Sequence, residues 1–287
     1  MLDNWILNRW RSFKNVVSLT RVDRIPLVRS VANRVAGGAV DLLARFQNVK
    51  LDPGHPWGTR LKFLLRWYEP ETVAFCRKSI RPGMVVLDIG AHSGYFSALF
   101  SGLVGPSGRV LAFEPHPATY DLLCHNLAVW GCRNTTAVQK AISGNSGEGQ
   151  FFEMTSPGTH SLFNVSEHSW FQMRRELRVE CTTVDRALAE FGVTTVDFIK
   201  MDIEGAESRA LTGMSETIAR SRQLMLVLEF NEQTLAAAGK SPEEFIRQVK
   251  DLGFNLKVIE HGGILVPFEE RLQGKVKEEN LNLLCFK

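Results

Sequence analysis

The sequence is short of the features that would place it outside the cytosol. Its five cysteines fall at irregular spacing, Cys76, Cys124, Cys132, Cys181 and Cys285, with no C-x-x-C pair, so neither a disulfide framework nor a thiolate metal knot is expected. No run approaches the roughly 18 consecutive apolar residues that a membrane span requires, and the N-terminus, with Asp3 and scattered arginines, lacks a signal-peptide core. Two glycosylation sequons, at Asn134 and Asn164, stand without other signs of secretion. Charge of one sign is not in large excess either: the net value is +3, which gives no reason to expect a nucleic-acid partner. A cytoplasmic protein with reduced thiols is the expectation.

One further absence decides more. Residues 84–115 read MVVLDIGAHSGYFSALFSGLVGPSGRVLAFEP. An apolar run, Val85 to Leu87, ends at Asp88; a glycine-rich turn from Gly90 to Gly94 opens a helical pattern from Tyr95 to Leu103; a second apolar run, Val110 to Phe113, ends at Glu114. Gly90 and Glu114 lie 24 residues apart, close to the spacing at which a βαβ unit sets a carboxylate on ribose hydroxyls. The dinucleotide pattern G-x-G-x-x-G is nevertheless incomplete, because His92 stands where the middle glycine belongs. A pyrophosphate on a helix N-terminus wants bare backbone, and the Asp88 carboxylate would repel it. A cationic nucleoside suits the same turn better, which favours S-adenosyl-L-methionine, with its ammonium and sulfonium, over NAD.

Other strands end the same way. Val196 to Glu207 reads VDFIKMDIEGAE, an apolar strand closing on Asp202 and Glu204 with Gly205 for the turn, and Leu224 to Leu228 is followed by Glu229. Parallel strands share one C-terminal edge, so Asp88, Glu114, Asp202, Glu204 and Glu229 are expected to converge on one cleft. The pattern gives seven sheet strands: Val85–Leu87, Val110–Phe113, Thr135–Ile142, Val196–Met201, Leu224–Leu228, Leu256–Ile259 and Leu281–Phe286. The last is reached without a crossover helix and is therefore antiparallel. Two additional strands, 149–154 and 177–183, are joined by a long connection containing Pro157, Gly158, His160 and Trp170, which should hang over the cleft. The fold class is thus α/β and Rossmann-like.

Residues 1–50 differ in character, with nine Lys or Arg against three acidic residues, so the remaining 237 sum to −3. Apolar positions recur at spacings of three and four, giving two or three amphipathic helices broken near Pro26 and at Gly37–Gly38. Such an arm suits packing on the main domain, a homo-oligomer contact, or a peripheral seat on anionic lipid. Leu51 to Trp57 reads as a linker, 59–79 as one more helix, and the division into domains is a helical extension, 1–79, followed by 80–287.

The motifs VVLDIGAHSGYF at 85–96, FEPHP at 113–117, TTVDRAL at 182–188, DFIKMDIEGAE at 197–207 and LEF at 228–230 resemble those of the FkbM-type methyltransferases, a branch of the Rossmann-like, class I S-adenosyl-L-methionine-dependent enzymes. The resemblance covers about residues 80–287 and leaves the basic arm unaddressed. It implies that Asp88, Gly90 and Gly94 surround the methionine part of the cofactor, with His92, Tyr95 and Phe96 in the same motif. It implies further that Glu114, followed by Pro115, bonds the ribose, that Ala141 and Ile142 flank adenine, and that Asp202 lies beside the sulfonium and acceptor. Family members look like O-methyltransferases of sugar or polyketide hydroxyls.

Proton removal from an aliphatic hydroxyl needs a base at the reacting oxygen. Asp202 and Glu204 are the candidates, His160 a further one, with Glu229 and His160 expected against the acceptor. A hard divalent ion on Asp202, Glu204 and Glu229 is a variant; the metal-free arrangement is preferred, because the usual extra oxygen ligands are not evident. Lys200 reads as a solvated or packed strand residue. Two other classes of function share these features: an NAD-dependent oxidoreductase or epimerase, and a non-catalytic membrane- or partner-binding protein that keeps the fold.

Overall fold

A computed structural model describes residues 26–156, 158–167, 172–269 and 280–287. The tryptophans of the basic arm, Trp5 and Trp10, and Trp170 of the long connection lie outside the described residues.

The chain enters through α1 (Pro26–Phe46), α2 (Trp57–Leu64) and α3 (Pro70–Ser79). The Gly37–Gly38 pair does not break α1: Gly37 is buried inside the helix, where a side chain would meet Arg60. The single helix expected over 59–79 is two, because Pro70 starts a new helix at its first position, where a missing N–H costs nothing. Phe75, Cys76 and Ile80 are buried in the same cluster as Val86, Phe96 and Phe100, so α3 is part of the core of the main body.

Next come β1 (Val85–Ile89), α4 (Tyr95–Val104), β2 (Arg109–Phe113), α5 (Pro117–Val129) and β3 (Thr135–Val138). The apolar run of β3 does not continue to Ile142. A break at 139–140 sends β4 (Ala141–Ile142) into a separate sheet with β5 (Gly147–Met154) and β6 (Met173–Thr182), in the order β4-β6-β5. The remaining elements are α6 (Val184–Glu190), β7 (Phe198–Met201), α7 (Glu207–Thr212), α8 (Ser215–Arg220), β8 (Met225–Phe230), α9 (Glu232–Ala237), α10 (Pro242–Asp251), β9 (Asn255–Glu260), β10 (Ile264–Pro267) and β11 (Leu281–Phe286).

The main sheet runs β10-β9-β11-β8-β7-β1-β2-β3. It has eight strands where seven were expected; the eighth, β10, is a short hairpin partner of β9 on the edge. From β8 to β3 all pairs are parallel, and β11 is antiparallel to both β8 and β9. Residue alternation divides the core. Leu87, Ile89, Leu111, Ile199 and Leu226 face one side, and Val86, Val110, Phe198 and Val227 face the other against Phe96 and Phe100.

Two features of this sheet position the site. In register, Asp88 pairs with Lys200, so alternation sets an acid and a base side by side at the C-terminal ends of β1 and β7. The turn after β1 then passes under the turn after β7: the Asp202 N–H donates to the Ile89 carbonyl (3.0 Å), while Gly90 and Ala91 donate to the Phe113 carbonyl. Gly90 adopts φ +85, and a Cβ there would sit 1.9 Å from the Asp202 carbonyl oxygen, so no other residue fits this crossing.

Gly90→Ala is expected to cost at least about 3 kcal/mol in urea denaturation, since strained φ and a backbone clash add. Gly102→Ala, on the exposed side of α4 with nothing within 4 Å of the new methyl, should instead gain about 0.5–1 kcal/mol. Equal midpoints for the two variants would contradict the crossing.

Candidate active site

A cleft, open at its mouth, lies over the C-terminal ends of β1, β2 and β7, the position at which open α/β sheets bind ligands. It is lined by Asp88, Gly90, His92, Tyr95, Phe96, Glu114, Pro115, Ala141, Ile142, His160, Asp202 and Glu204, as expected from the sequence. Gly94 and Glu229 are not among its lining residues. Gly94 is a packing turn at the start of α4, facing Leu123 of α5. Glu229 lies beside the wall, where Asn280 donates to its Oε1 at 2.9 Å.

On the floor, Asp88 is 1% exposed and accepts from the Ser97 hydroxyl at 2.5 Å. Burial pushes its carboxyl up to about 6 against the pull of Lys200 and Ser97. Glu114, also buried, accepts from the backbone N–H groups of His92 (3.0 Å, Oε2) and His116 (2.9 Å, Oε1). Burial outweighs those bonds and lifts it to about 7. Both carboxylates are held in one orientation and retain lone pairs for a ligand.

Lys200 is neither solvated nor a simple packing residue. It is 3% exposed, its Nζ lies 2.8 Å from Asp202 Oδ2 and 4.5 Å from the Phe96 ring centroid. Burial would pull its pKa down, but Asp202, Glu69 and Asp88 together hold it above the ordinary lysine value. Asp202 answers with a lowered pKa: burial opposes ionisation and the lysine overcomes it. The oxygens of Asp202, Glu204 and Glu229 lie within 4.8 Å of one another. Burial, then the like charges of neighbouring carboxylates, raise Glu204 and Glu229 well above the ordinary glutamate value. Glu204 itself is set at φ 53 and tied down from outside, since the Ser161 hydroxyl donates to its carbonyl at 2.7 Å.

The long connection does reach the cleft. His160 lines it with Nδ1 accepting from the Met154 N–H at 3.0 Å, which fixes the ring proton on Nε2. Burial, with His116 beside it, drives its pKa down to about 4. His116 caps α5 and bridges to the buried Glu153, which two arginines, Arg174 and Arg175, also bind.

Several wall residues escaped sequence reading. His55, Phe63, Tyr68 and Glu69 come from the segment before the first strand. A proline after Glu69, which predicts a helix start there, was the one usable signal; Glu69 sits at φ 42 as the residue before α3. Nothing in the spacing ties His55 or Tyr68 to motifs that begin at Val85.

The raised acids give a signed pH dependence. Below its unfolded value of about 4.5, Glu114 is protonated in both states; above about 7 it is ionised in both. In between the folded protein holds the extra proton, so stability falls as pH rises through that window, by up to about 3 kcal/mol. Asp88, at about 6, acts in the same direction. Urea midpoints of cofactor-free protein between pH 4.5 and 7.5 should decline in the wild type and less steeply in Glu114→Gln. The same slope in both would refute the assignment.

The model of the FkbM methyltransferase domain matches residues 88–256, more than half of the chain. The 2-O-methyltransferase NoeI of Sinorhizobium fredii is 27% identical over 166 residues, which cover 54% of this chain and 66% of that protein. Methyltransferase sdnD of Sordaria araneosa is 27% identical over 157 residues, 46% of this chain and 60% of that protein. The chain thus spans about two thirds of the first relative and three fifths of the second. A solved SAM-dependent O-methyltransferase from Thermotoga maritima aligns over 76% of this chain and 64% of its own, at 16% identity and a TM-score of 0.45. With the motifs at β2, β7 and β8, and that of β1 from Asp88 onward, inside the matched span, the chain belongs to the FkbM methyltransferase family.

Proposed function

We propose that this chain is a cytoplasmic O-methyltransferase that uses S-adenosyl-L-methionine to methylate a hydroxyl of a sugar, glycolipid or polyketide-like acceptor. The observation that carries the reading is the carboxylate cluster around one lysine at the end of β7. The relative named as a 2-O-methyltransferase supports a hydroxyl acceptor, and the family removes the NAD-dependent alternative.

The residues present fit that cofactor. Glu114 offers two oriented oxygens to a ribose diol, Ala141, Ile142 and Pro115 give an apolar wall for a purine, and the acids near Asp88 outnumber Lys200 where positive charge would lie. Bound there, the cofactor supplies an electrophilic methyl group on a cationic sulfur. The chain itself must align the acceptor and take its proton.

Glu204 is the base in this reading. Asp202 is ionised but committed to Lys200, whereas Glu204 lines the cleft with a carboxylate made more basic by burial and by Asp202. Asp202 acts electrostatically, and Glu229 stands behind the pair with a carboxylate oxygen within 4.8 Å of one from each. His160, with Nδ1 occupied, serves as a donor through Nε2 that orients the acceptor oxygen. Because Lys200 already neutralises Asp202, the cluster does without a hard divalent ion.

For the arm, α1 suggests an anionic bilayer as the partner. Val40 and Ala44 are buried, while Val31, Val35, Leu42 and Phe46 form an exposed stripe beside exposed Arg34 and Arg45.

In single-turnover transfer with pooled glycan, glycolipid or polyketide acceptors, Glu204→Gln should slow the methyl step about 100-fold or more with cofactor affinity little changed. Adding Mg²⁺ should leave the wild-type rate where it was. A Glu204→Gln rate equal to wild type would remove the base. Separately, the full chain should sediment with vesicles containing phosphatidylserine and lose that on deletion of residues 1–50; equal sedimentation of the two would remove the lipid contact.

A further inference from the structure

A second polar group converges at the rim of the cleft, away from the carboxylate cluster. Asp52-Pro53-Gly54-His55 is a tight turn: the His55 N–H donates to the Asp52 carbonyl (3.3 Å) and the Gly54 N–H to Asp52 Oδ1 (2.8 Å). Asp52 Oδ2 lies 3.8 Å from His92 Nε2. The His55 and His92 rings lie 5.2 Å apart at 58°, and one donor atom from each of the three side chains falls within 4.8 Å of the others.

The His92 ring is the telling part. Its Nε2 is buried and has no hydrogen-bond partner, although the residue is held at φ 49 by a backbone bond to Glu114. A buried polar atom left without a partner in an otherwise well-tied turn calls for a ligand. The burial that keeps both rings neutral leaves each a lone pair to give.

We infer that Asp52, His55 and His92 form a three-ligand site for a divalent transition-metal ion of the zinc type. At ligand distances of roughly 2.0–2.2 Å a tetrahedral ion holds its donors about 3.4 Å apart, so the Asp52–His92 gap needs to close only slightly. Two imidazole nitrogens and one carboxylate select such an ion over Mg²⁺ or Ca²⁺, which require mostly oxygen. The fixing bond from Gly54 to Asp52 Oδ1 and the edge-on contact of His55 with Phe63 (5.5 Å) supply the surrounding support that metal ligands need. The ion would pin the turn preceding α2 to the glycine-rich turn after β1, joining the entering segment to the cleft by a bond other than packing. His55 and His92 both line the cleft, so the site stands at its rim.

The test is a titration of chelator-treated full-length protein with Zn²⁺ by calorimetry and with Co²⁺ by visible absorbance, with Mg²⁺ as the control. The expected result is one equivalent of Zn²⁺, a Co²⁺ spectrum of an ordered nitrogen-oxygen site, no Mg²⁺ uptake, and at least about 30-fold weaker Zn²⁺ binding in Asp52→Asn and His55→Ala. Those two positions lie on a turn outside the sheet, so the variants carry the test even where His92→Ala does not fold; circular dichroism melts verify that they do fold. Absence of stoichiometric Zn²⁺ binding, or Zn²⁺ affinity in either variant equal to that of the wild type, would overturn the site. The titration needs neither cofactor nor acceptor, so it stands or fails apart from methyl transfer.

Discussion

The buried ion pair between Lys200 and Asp202 is the constraint on which the rest of the site depends. Among the described residues Lys200 is the one lysine or arginine in the buried class, and Glu69, Asp88, Asp202 and Glu204 line the same cleft. Strand register puts it there: β1 and β7 are parallel with Asp88 opposite Lys200, so the lysine cannot leave without exposing an uncompensated acid. Its charge also separates the roles of its neighbours. Asp202 is kept ionised, while in Glu204 and Glu229 burial and the neighbouring carboxylates outweigh the pull of the lysine and make both more basic. A cleft that starts short of positive charge is suited to a ligand that brings some.

Backbone geometry supports the same arrangement. His92 and Glu204 both adopt left-handed φ without being glycine, at 49 and 53, and each follows a strand end in the crossing between the β1 and β7 turns. Non-glycine residues in this region are uncommon and persist where the surroundings over-determine them. At His92 the restraint is a bond from its N–H to Glu114; at Glu204 it is the Ser161 hydroxyl reaching over from the long connection. The connection is therefore part of the wall, and its other tie, the Met154 N–H on His160, decides which nitrogen of that ring can act.

What the sequence revealed and what it hid divide along range of interaction. The strand-turn-helix at Val85 to Leu103 and the acidic strand tips were legible because alternation, glycine placement and the shared C-terminal edge of a parallel sheet are local rules; they brought Asp88, Gly90, Glu114, Asp202 and Glu204 to the cleft, while Ala141 and Ile142 came from the family resemblance. Glu229 does converge on Asp202 and Glu204, as the same rule requires, but lies just outside the lining of the cleft. Strand β3 was read too long because the apolar character of Ala141 and Ile142 persists after the chain has left the sheet for β6. Lys200 was misread because a single strand cannot show which acids its neighbours bring alongside. In the entering segment His55 and Tyr68 were opaque because their contribution is purely tertiary, and Glu69 was marked only by the proline that follows it.

Every role assigned to these side chains requires that the cleft recognise a cationic sulfur nucleoside. Parallel calorimetric titration of the full chain with S-adenosyl-L-methionine and with NADH tests it most directly. The prediction is one S-adenosyl-L-methionine per chain and no heat from NADH; binding of NADH with none of S-adenosyl-L-methionine would contradict it.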